Sequence, residues 1–191
     1  MVLTALQRRI MKALAANRSP SSYVAGGSVL NCDWPRQSED IDIFHDTDEE
    51  IVDAAHKDID VEIYGAVEAT IGELGSETII QWMSESKRRF FPLVRDEEWG
   101  FRLAQADLAV NKVLAASSRR KARDHVDLVS IRAKWCALGP LALAAAGKPP
   151  FWSPTKIIEE IRRRGLGIWD EEYRSVRGLP ESWTLVSSEK L

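Results

Sequence analysis

Cysteine is scarce in this chain. Only two are present among 191 residues, Cys32 and Cys136, and they lie far apart without the spacing of metal ligands. Small secreted folds that depend on disulfides carry many more cysteines, and cysteine-based zinc sites carry them in closely spaced pairs. The sequence argues against both classes, and two reduced thiols are typical of a cytoplasmic protein.

Long apolar runs are also missing. The most apolar later stretch, residues 137–147, is too short and too rich in alanine to span a bilayer. At the N-terminus, Arg8, Arg9 and Lys12 interrupt the apolar positions, which is not the pattern of a signal peptide. We therefore expect a cytoplasmic location and no membrane partner.

The chain has no excess of positive charge. Its 26 Lys and Arg face 29 Asp and Glu, which gives a formal net charge of −3 at pH 7. This balance argues against nucleic-acid affinity over the whole surface, although it permits local basic patches. Three basic stretches occur, at residues 87–89, 119–121 and 162–164. Such stretches are most often solvated surface, but they are the expected phosphate contacts if the partner is RNA.

Two carboxylates separated by one residue stand out within an apolar run. Asp40 and Asp42 alternate with Ile41 and Ile43. In an extended strand, side chains two residues apart point to the same face, so the acids project together while the isoleucines enter a core. Two adjacent acids repel each other unless a cation lies between them. Carboxylate oxygens suit Mg²⁺, which keeps several waters and often shares its shell with substrate phosphates.

A Gly-Gly-Ser turn precedes this pair. Gly26 and Gly27 allow the backbone to adopt positive φ and to approach a ligand closely. Exposed N–H groups and the Ser28 hydroxyl could then hold phosphate oxygens, although serine in such a position often only closes the turn. A phosphate-binding turn beside a paired-carboxylate metal site indicates phosphoryl or nucleotidyl transfer.

The spacing of apolar residues and breakers predicts an α+β protein. The expected elements are helices at about 3–16, 47–57, 106–118 and 122–138, and strands at about 23–25, 60–64 and 78–83. The helix from residue 122 is expected to stop at Gly139-Pro140, and a later helix to begin with Ser153 as its N-cap and Pro154 at its first position. Early strands and late helices predict a small mixed sheet that carries the site, followed by a helical C-terminal part.

The two motifs together resemble a known signature. Gly-Ser at 27–28 followed by Asp-Ile-Asp at 40–42 is similar to the signature of the DNA polymerase β-like nucleotidyltransferase superfamily. A second block, residues 107–115 and then 123–128, narrows the resemblance to the AbiEii/AbiGii-type nucleotidyltransferases. That family includes toxins of toxin–antitoxin and phage-defence systems. The resemblance covers roughly residues 20–135.

The resemblance implies an enzyme with a nucleotidyltransferase core in residues 1–105 and a helical part in residues 106–191 that completes the site. It implies transfer of an NMP from an NTP, with one or two Mg²⁺, to an acceptor hydroxyl on RNA such as tRNA, or on a protein. Lys112 would contact the nucleotide phosphates, and Asp124 would take part in catalysis or organise the site. A toxin role and a cognate antitoxin are implied in the same way.

Two alternatives stay open. Lys112, Asp124 and Asp127 could form an ion-pair network within one helix or between helices. The third carboxylate of polymerase β-like sites is also not evident, because Gln81 stands where an acid is expected and an amide cannot act as a general base. Glu62, Glu85 or Asp124 could substitute. Without such a substitute, the chain would be a catalytically degenerate nucleotide-binding regulatory module.

Overall fold

The computed structural model describes residues 3–31, 34, 36–58, 68–73, 76–84 and 88–179. The chain divides into two compact units. The first, here called the sheet unit, contains the described residues up to Gln105 apart from Trp34 and Arg36. The second, the helical unit, contains those two residues and the described residues from Ala106 onward.

The sheet unit is built on a mixed sheet with short helices. Its elements are α1 (Ala5–Leu14), β1 (Ser22–Ala25), α2 (Gly26–Leu30), β2 (Asp40–His45), α3 (Glu49–Asp58), β3 (Glu68–Glu73), β4 (Ser76–Ser84), β5 (Val94–Asp96) and β6 (Gly100–Arg102). The strands are ordered β3-β4-β2-β1-β6-β5. Since β2 pairs antiparallel with β1 and parallel with β4, it lies inside the sheet with a neighbour on each side. The predicted mixed sheet is confirmed, whereas the predicted strand at 60–64 lies outside the described residues.

One face of the neighbouring strands β2 and β4 contributes to the core of the sheet unit. Ile41 and Ile43 of β2 are fully buried. In β4, Ile80 is fully buried and Trp82 is only 1% exposed. Each such side chain contributes roughly 1.5–3 kcal/mol when it is removed from water. This burial fixes the register of β2, because a slip by one residue would drive its carboxylates into the core.

The helical unit contains the remaining helices. They are α4 (Gln105–Ser118), α5 (Ala122–Lys134), α6 (Leu138–Ala145), α7 (Pro154–Leu166) and α8 (Asp170–Arg174). Ala122 and Val126 of α5 are buried in one cluster with Ile168 and Tyr173. The predicted start of α7 is confirmed, because the Ser153 hydroxyl accepts a hydrogen bond from the Lys156 N–H at 3.2 Å.

The predicted end of α5 was wrong. The helix ends at Lys134 rather than near Leu138, and Gly139 and Pro140 lie in the first turn of α6. Proline is tolerated there because the first N–H groups of a helix have no partner within the helix. The dipeptide that was expected to terminate one helix therefore helps to begin the next.

Among the described residues, no single helix is long and apolar enough to cross a membrane. Helices α5 and α6 reach the necessary length and composition only when counted together, and they are bent by 120°.

Two buried histidines predict that stability falls in mild acid. Burial lowers the pKa of His45 in the sheet unit, and burial also lowers the pKa of His125 in the helical unit despite the opposing charge of Asp124. Below about pH 6.5 the unfolded chain binds protons that the folded chain does not, so stability present at neutral pH is lost as pH falls. We expect the melting temperature to drop between pH 7.5 and pH 5.5. The melting temperature of His125→Gln should drop less over the same pH range. If it drops as much as that of the wild type, buried His125 is not a source of the pH dependence.

Candidate active site

The paired carboxylates lie on the partly exposed face of β2. Along this strand Asp40 and Asp42 are partly exposed, whereas Ile41 and Ile43 are fully buried. The alternation matches the predicted orientation of the pair. The sequence therefore folds so that two acids project from the middle of the sheet, opposite its core face.

Gly26 lies directly against Asp42. Strand β1 pairs Ala25 with Asp42, and the chain then turns into α2 with a φ of 73° at Gly26. A Cβ at this position would overlap the carboxylate oxygen Oδ2 of Asp42. Glycine is required here for two independent reasons, the left-handed backbone and the close approach of the carboxylate.

We predict that Gly26→Ala destabilises the protein by about 1–3 kcal/mol, because a left-handed backbone alone costs a residue with a Cβ about 1–2 kcal/mol. Urea unfolding of the variant and the wild type measures the change. Gly139→Ala is the control, since a Cβ at Gly139 meets nothing within 4 Å. A Gly26→Ala variant as stable as the wild type would contradict the described backbone.

The predicted Gly-Gly-Ser turn is the first turn of a helix. Gly27 and Ser28 both lie in α2, and the Ser28 side chain is fully buried. Its hydroxyl donates a hydrogen bond to the Ala25 carbonyl at 3.3 Å, and Asn31 Nδ2 donates to the Gly27 carbonyl at 2.8 Å. The hydroxyl of Ser28 thus closes the turn, and its contact with a phosphate stays a prediction.

Gln81 occupies the register position next to Asp42. Strand β4 pairs Gln81 with Asp42, and β3 pairs Glu68 with Gln81. Strand β3 was not predicted from the sequence, although the β-branched pair Thr70-Ile71 was an available signal. Glu62 and Glu85, the proposed substitutes for a third acid, lie outside the described residues.

The donor set around Asp42 suits a hard divalent cation. Asp40 and Asp42 offer carboxylate oxygens, and Gln81 offers an amide oxygen at the adjacent position of the sheet. Because Gly26 has no side chain, the Asp42 carboxylate can lie directly against the backbone at that position. Within the described ranges there is no cluster of three or more His, Cys, Asp or Glu that could hold a metal alone. The two carboxylates would suit Mg²⁺, a hard cation that usually keeps several waters, and its binding at this position stays a prediction.

Lys112 and Asp124 lie in a buried ionic network of the helical unit. Lys112 Nζ lies 2.8 Å from Asp124 Oδ1 and 3.0 Å from Asp127 Oδ2. Arg119 donates two hydrogen bonds to Asp124, at 2.7 and 3.1 Å. Arg36 donates two to Asp127, at 2.6 and 3.0 Å. Each carboxylate has two cationic partners, as the ion-pair alternative predicted.

The opposite charges in this network keep Lys112 and Asp124 ionised despite their burial. Burial disfavours the ammonium form of Lys112, but Asp127 and Asp124 outweigh burial and raise the pKa of Lys112. Burial also disfavours the Asp124 carboxylate, but the charge of Lys112 and the hydrogen bonds from Arg119 and Lys112 hold its pKa well below its usual range. Asp124 is therefore a weak proton acceptor, since a general base works best with a pKa near the working pH.

The predicted site residues thus fall into two groups. Asp40, Asp42 and the three residues of the Gly-Gly-Ser motif belong to the sheet unit, and Lys112 and Asp124 belong to the helical unit. The first group comes together around Asp42 and Gly26. The roles of Lys112 and Asp124 in a reaction stay predictions.

Each of the three basic stretches contains an arginine that pairs with an acid. Arg89 pairs with Asp46 at 2.8 Å, and Arg163 pairs with Glu160 at 2.6 Å. Arg119 pairs with Asp124, as described above. These pairs reduce the positive charge available to RNA phosphates.

Two solved structures are similar to this chain in fold. One is the nucleotidyltransferase toxin MenT4 from Mycobacterium tuberculosis H37Rv, with 16% sequence identity and a TM-score of 0.60 over 97% of this chain and 78% of that chain. The other is a protein from H. pylori assigned as a nucleotidyltransferase, with 17% identity and a TM-score of 0.62 over 97% of this chain and 88% of that chain. The predicted nucleotidyltransferase fold is confirmed. No known family profile matches the chain, and no curated protein matches it in sequence.

Proposed function

We propose that this protein is a Mg²⁺-dependent nucleotidyltransferase, which moves an NMP from an NTP to an acceptor hydroxyl. The observation that carries the proposal is the pair Asp40 and Asp42 on the partly exposed face of β2, with Gly26 against Asp42. The fold shared with MenT4 and with the H. pylori protein supports it. Fold alone does not define an activity, so the carboxylate pair is the decisive feature.

Five residues of the sheet unit are assigned parts in this reaction. Asp40 and Asp42 would hold Mg²⁺, and the amide of Gln81 would orient a ligand beside them. Bound Mg²⁺ supplies neutralisation of the phosphate charges. Gly26 and Gly27 would let the backbone lie close to the triphosphate, whose oxygens accept hydrogen bonds from N–H groups.

The covalent step replaces the phosphoanhydride linkage between the α- and β-phosphates of the NTP with a phosphoester linkage to the acceptor. The acceptor oxygen forms a bond to the α-phosphorus, the bond from that phosphorus to the bridging oxygen breaks, and pyrophosphate leaves with the electron pair. The acceptor proton passes to a base. Asp124 is one candidate for this base beside Glu62 and Glu85, and a pKa held well below its usual range would make it a weak one.

The acceptor and the biological role are proposed from the fold neighbour and the resemblance. MenT4 is a nucleotidyltransferase toxin. We propose a toxin role with a cognate antitoxin for this chain. RNA, in particular tRNA, and protein are the two acceptor classes. The proposed cytoplasmic location rests on its two distant cysteines.

A labelling experiment tests this function. Purified protein is incubated with Mg²⁺ and each of the four NTPs labelled at the α-phosphate, together with total tRNA or with cell lysate. We expect label in either RNA or protein from one preferred nucleotide, with digestion by ribonuclease or protease separating the two acceptor classes. Absence of label from every acceptor, in a protein that is folded, would contradict the proposal.

Gln81 favours a second candidate, a nucleotide-binding regulatory module with a degenerate site. An amide beside Asp42 can orient a ligand, but it cannot remove a proton. This candidate predicts NTP binding in equilibrium dialysis with unchanged nucleotide recovered after long incubation. Release of pyrophosphate in the presence of an acceptor would rule it out.

A further inference from the structure

We infer that Gln7 and Thr78 are positioning residues that hold Asp40 in place for metal binding, an inference that rests on the proposed function. Asp40 is the first residue of β2, and the described residues between α2 and β2 form neither helix nor strand. A carboxylate at the start of a strand is only as well placed as the chain that leads into it. In this structure that chain is fixed by two buried polar side chains from α1 and β4.

Both the nitrogen and the oxygen of the Gln7 side-chain amide form hydrogen bonds. Its Nε2 donates hydrogen bonds to the Ser38 carbonyl at 2.9 Å and to Thr78 Oγ1 at 3.0 Å. Its Oε1 accepts a hydrogen bond from the Thr4 N–H at 2.9 Å, which completes the cap of α1. The residue is only 2% exposed, so these bonds do not compete with water. The geometry of α1 therefore fixes the position of the Ser38 carbonyl.

Thr78 holds the next residue along the chain. Its hydroxyl donates to the Glu39 carbonyl at 2.9 Å while it accepts from Gln7. The side chain of Ser38 in turn donates to the Asp40 carbonyl at 3.1 Å. The carbonyls of Ser38, Glu39 and Asp40 are thus all held by side-chain donors. The backbone of Ser38 and Glu39 is therefore held in one orientation, and this sets the direction in which the Asp40 side chain points.

The side-chain hydrogen bonds add to what the strand pairing supplies at this point of the sheet. The ladder bond from the Ile79 N–H to the Glu39 carbonyl is long, at 3.5 Å, so the threonine hydroxyl is the shorter contact at this carbonyl. A metal site depends on ligands that are held by a supporting layer of hydrogen bonds. Small displacements of a ligand reduce rates strongly, and about 1 Å can cost about a hundredfold.

Thr78→Val tests the inference with little change in shape, since valine replaces only the hydroxyl by a methyl group. Mn²⁺ binding, followed by electron paramagnetic resonance, gives a readout that does not depend on turnover. We expect Thr78→Val to bind Mn²⁺ about tenfold more weakly and to lower kcat about tenfold, with little change in KM for the nucleotide. Thr78→Ser, which restores the hydroxyl, should recover both properties.

Ser22→Ala is the matched control. Ser22 is also a buried hydroxyl of this sheet, but it contacts His45 Nε2 at 3.0 Å, at the other end of β2. The control should keep Mn²⁺ affinity even if its melting temperature falls. Gln7→Met provides a second variant with the same expected loss of Mn²⁺ affinity, measured only after a thermal melt shows that it is folded.

The outcomes separate this inference from the proposed function. Wild-type Mn²⁺ affinity in folded Thr78→Val, or no recovery in Thr78→Ser, would overturn the positioning role while nucleotidyl transfer stands. Mn²⁺ binding that depends on Asp42 and weakens in Thr78→Val, without any transfer by the wild type, would support the positioning role and contradict the proposed function. A wild type that binds no Mn²⁺ would overturn both.

Discussion

Asp42→Asn is expected to reduce nucleotidyl transfer by about a thousandfold while the fold stays intact. The substitution is nearly isosteric, so the close contact with Gly26 keeps its shape. It removes one of two negative charges that would hold Mg²⁺, and the metal contributes several kcal/mol to transition-state stabilisation. Each 1.36 kcal/mol corresponds to a tenfold change in rate, so the loss of about 4 kcal/mol gives this magnitude. The measurement is kcat/KM under saturating Mg²⁺.

Asp46→Asn is the matched control for this prediction. Asp46 is a carboxylate just beyond the end of β2, and it pairs with Arg89 at 2.8 Å rather than with a neighbouring acid. Its replacement should leave transfer within a few fold of the wild type. Equal losses in both variants would mean that general charge, rather than the Asp40 and Asp42 pair, supports activity. Full activity of Asp42→Asn would contradict the metal site.

Lys112→Met is expected to destabilise the protein by about 3–5 kcal/mol. Lys112 is 8% exposed and lies between Asp124 and Asp127, both fully buried. Removing one partner of a buried ion pair leaves a carboxylate that has lost water and part of its compensation. Arg119 and Arg36 remain as partners, so the lower end of the range is expected. Urea unfolding measures the change.

A surface variant gives the comparison for Lys112→Met. The Arg163 side chain is 65% exposed and pairs with Glu160 on the same helix, so Arg163→Met should destabilise the protein far less than Lys112→Met. If Lys112→Met is instead as stable as the wild type but loses transfer, the network is not the reason for this lysine, and its predicted contact with the nucleotide gains support. If Lys112→Met loses stability but the folded variant keeps normal activity, Lys112 has only a structural role.

The sequence predicted the residues around Asp42 because their signals are local. The alternation of Asp40, Ile41, Asp42 and Ile43 has a period of two, and the strand buries the isoleucines as that period requires. Gly26 and Gly27 were both expected to allow positive φ; Gly26 has a φ of 73°, whereas Gly27 does not use this freedom and lies within α2. The sequence did not indicate that the glycine touches Asp42, since that contact depends on the pairing of β1 with β2.

The supporting contacts could not be predicted because they join distant parts of the chain. Gln7 and Thr78 are 71 residues apart, and Arg36 and Asp127 are 91 apart. A glutamine in an amphipathic helix is usually a solvated residue, so nothing in the neighbourhood of Gln7 marks it as buried. The fate of Gly139-Pro140 was missed for a different reason, since the same dipeptide can follow one helix or open another.

The position of the transferred phosphorus tests the central claim most directly. Wild-type protein, Mg²⁺, the preferred NTP and its acceptor are combined in two reactions, one labelled at the α-phosphate and the other at the γ-phosphate. Nucleotidyl transfer predicts that the acceptor takes up only the α-label and that the γ-label appears in pyrophosphate. Chelation of Mg²⁺ should abolish both products, and Asp42→Asn should reduce both about a thousandfold. Uptake of the γ-label by the acceptor, or α-label uptake that is unchanged in Asp42→Asn, would contradict the account.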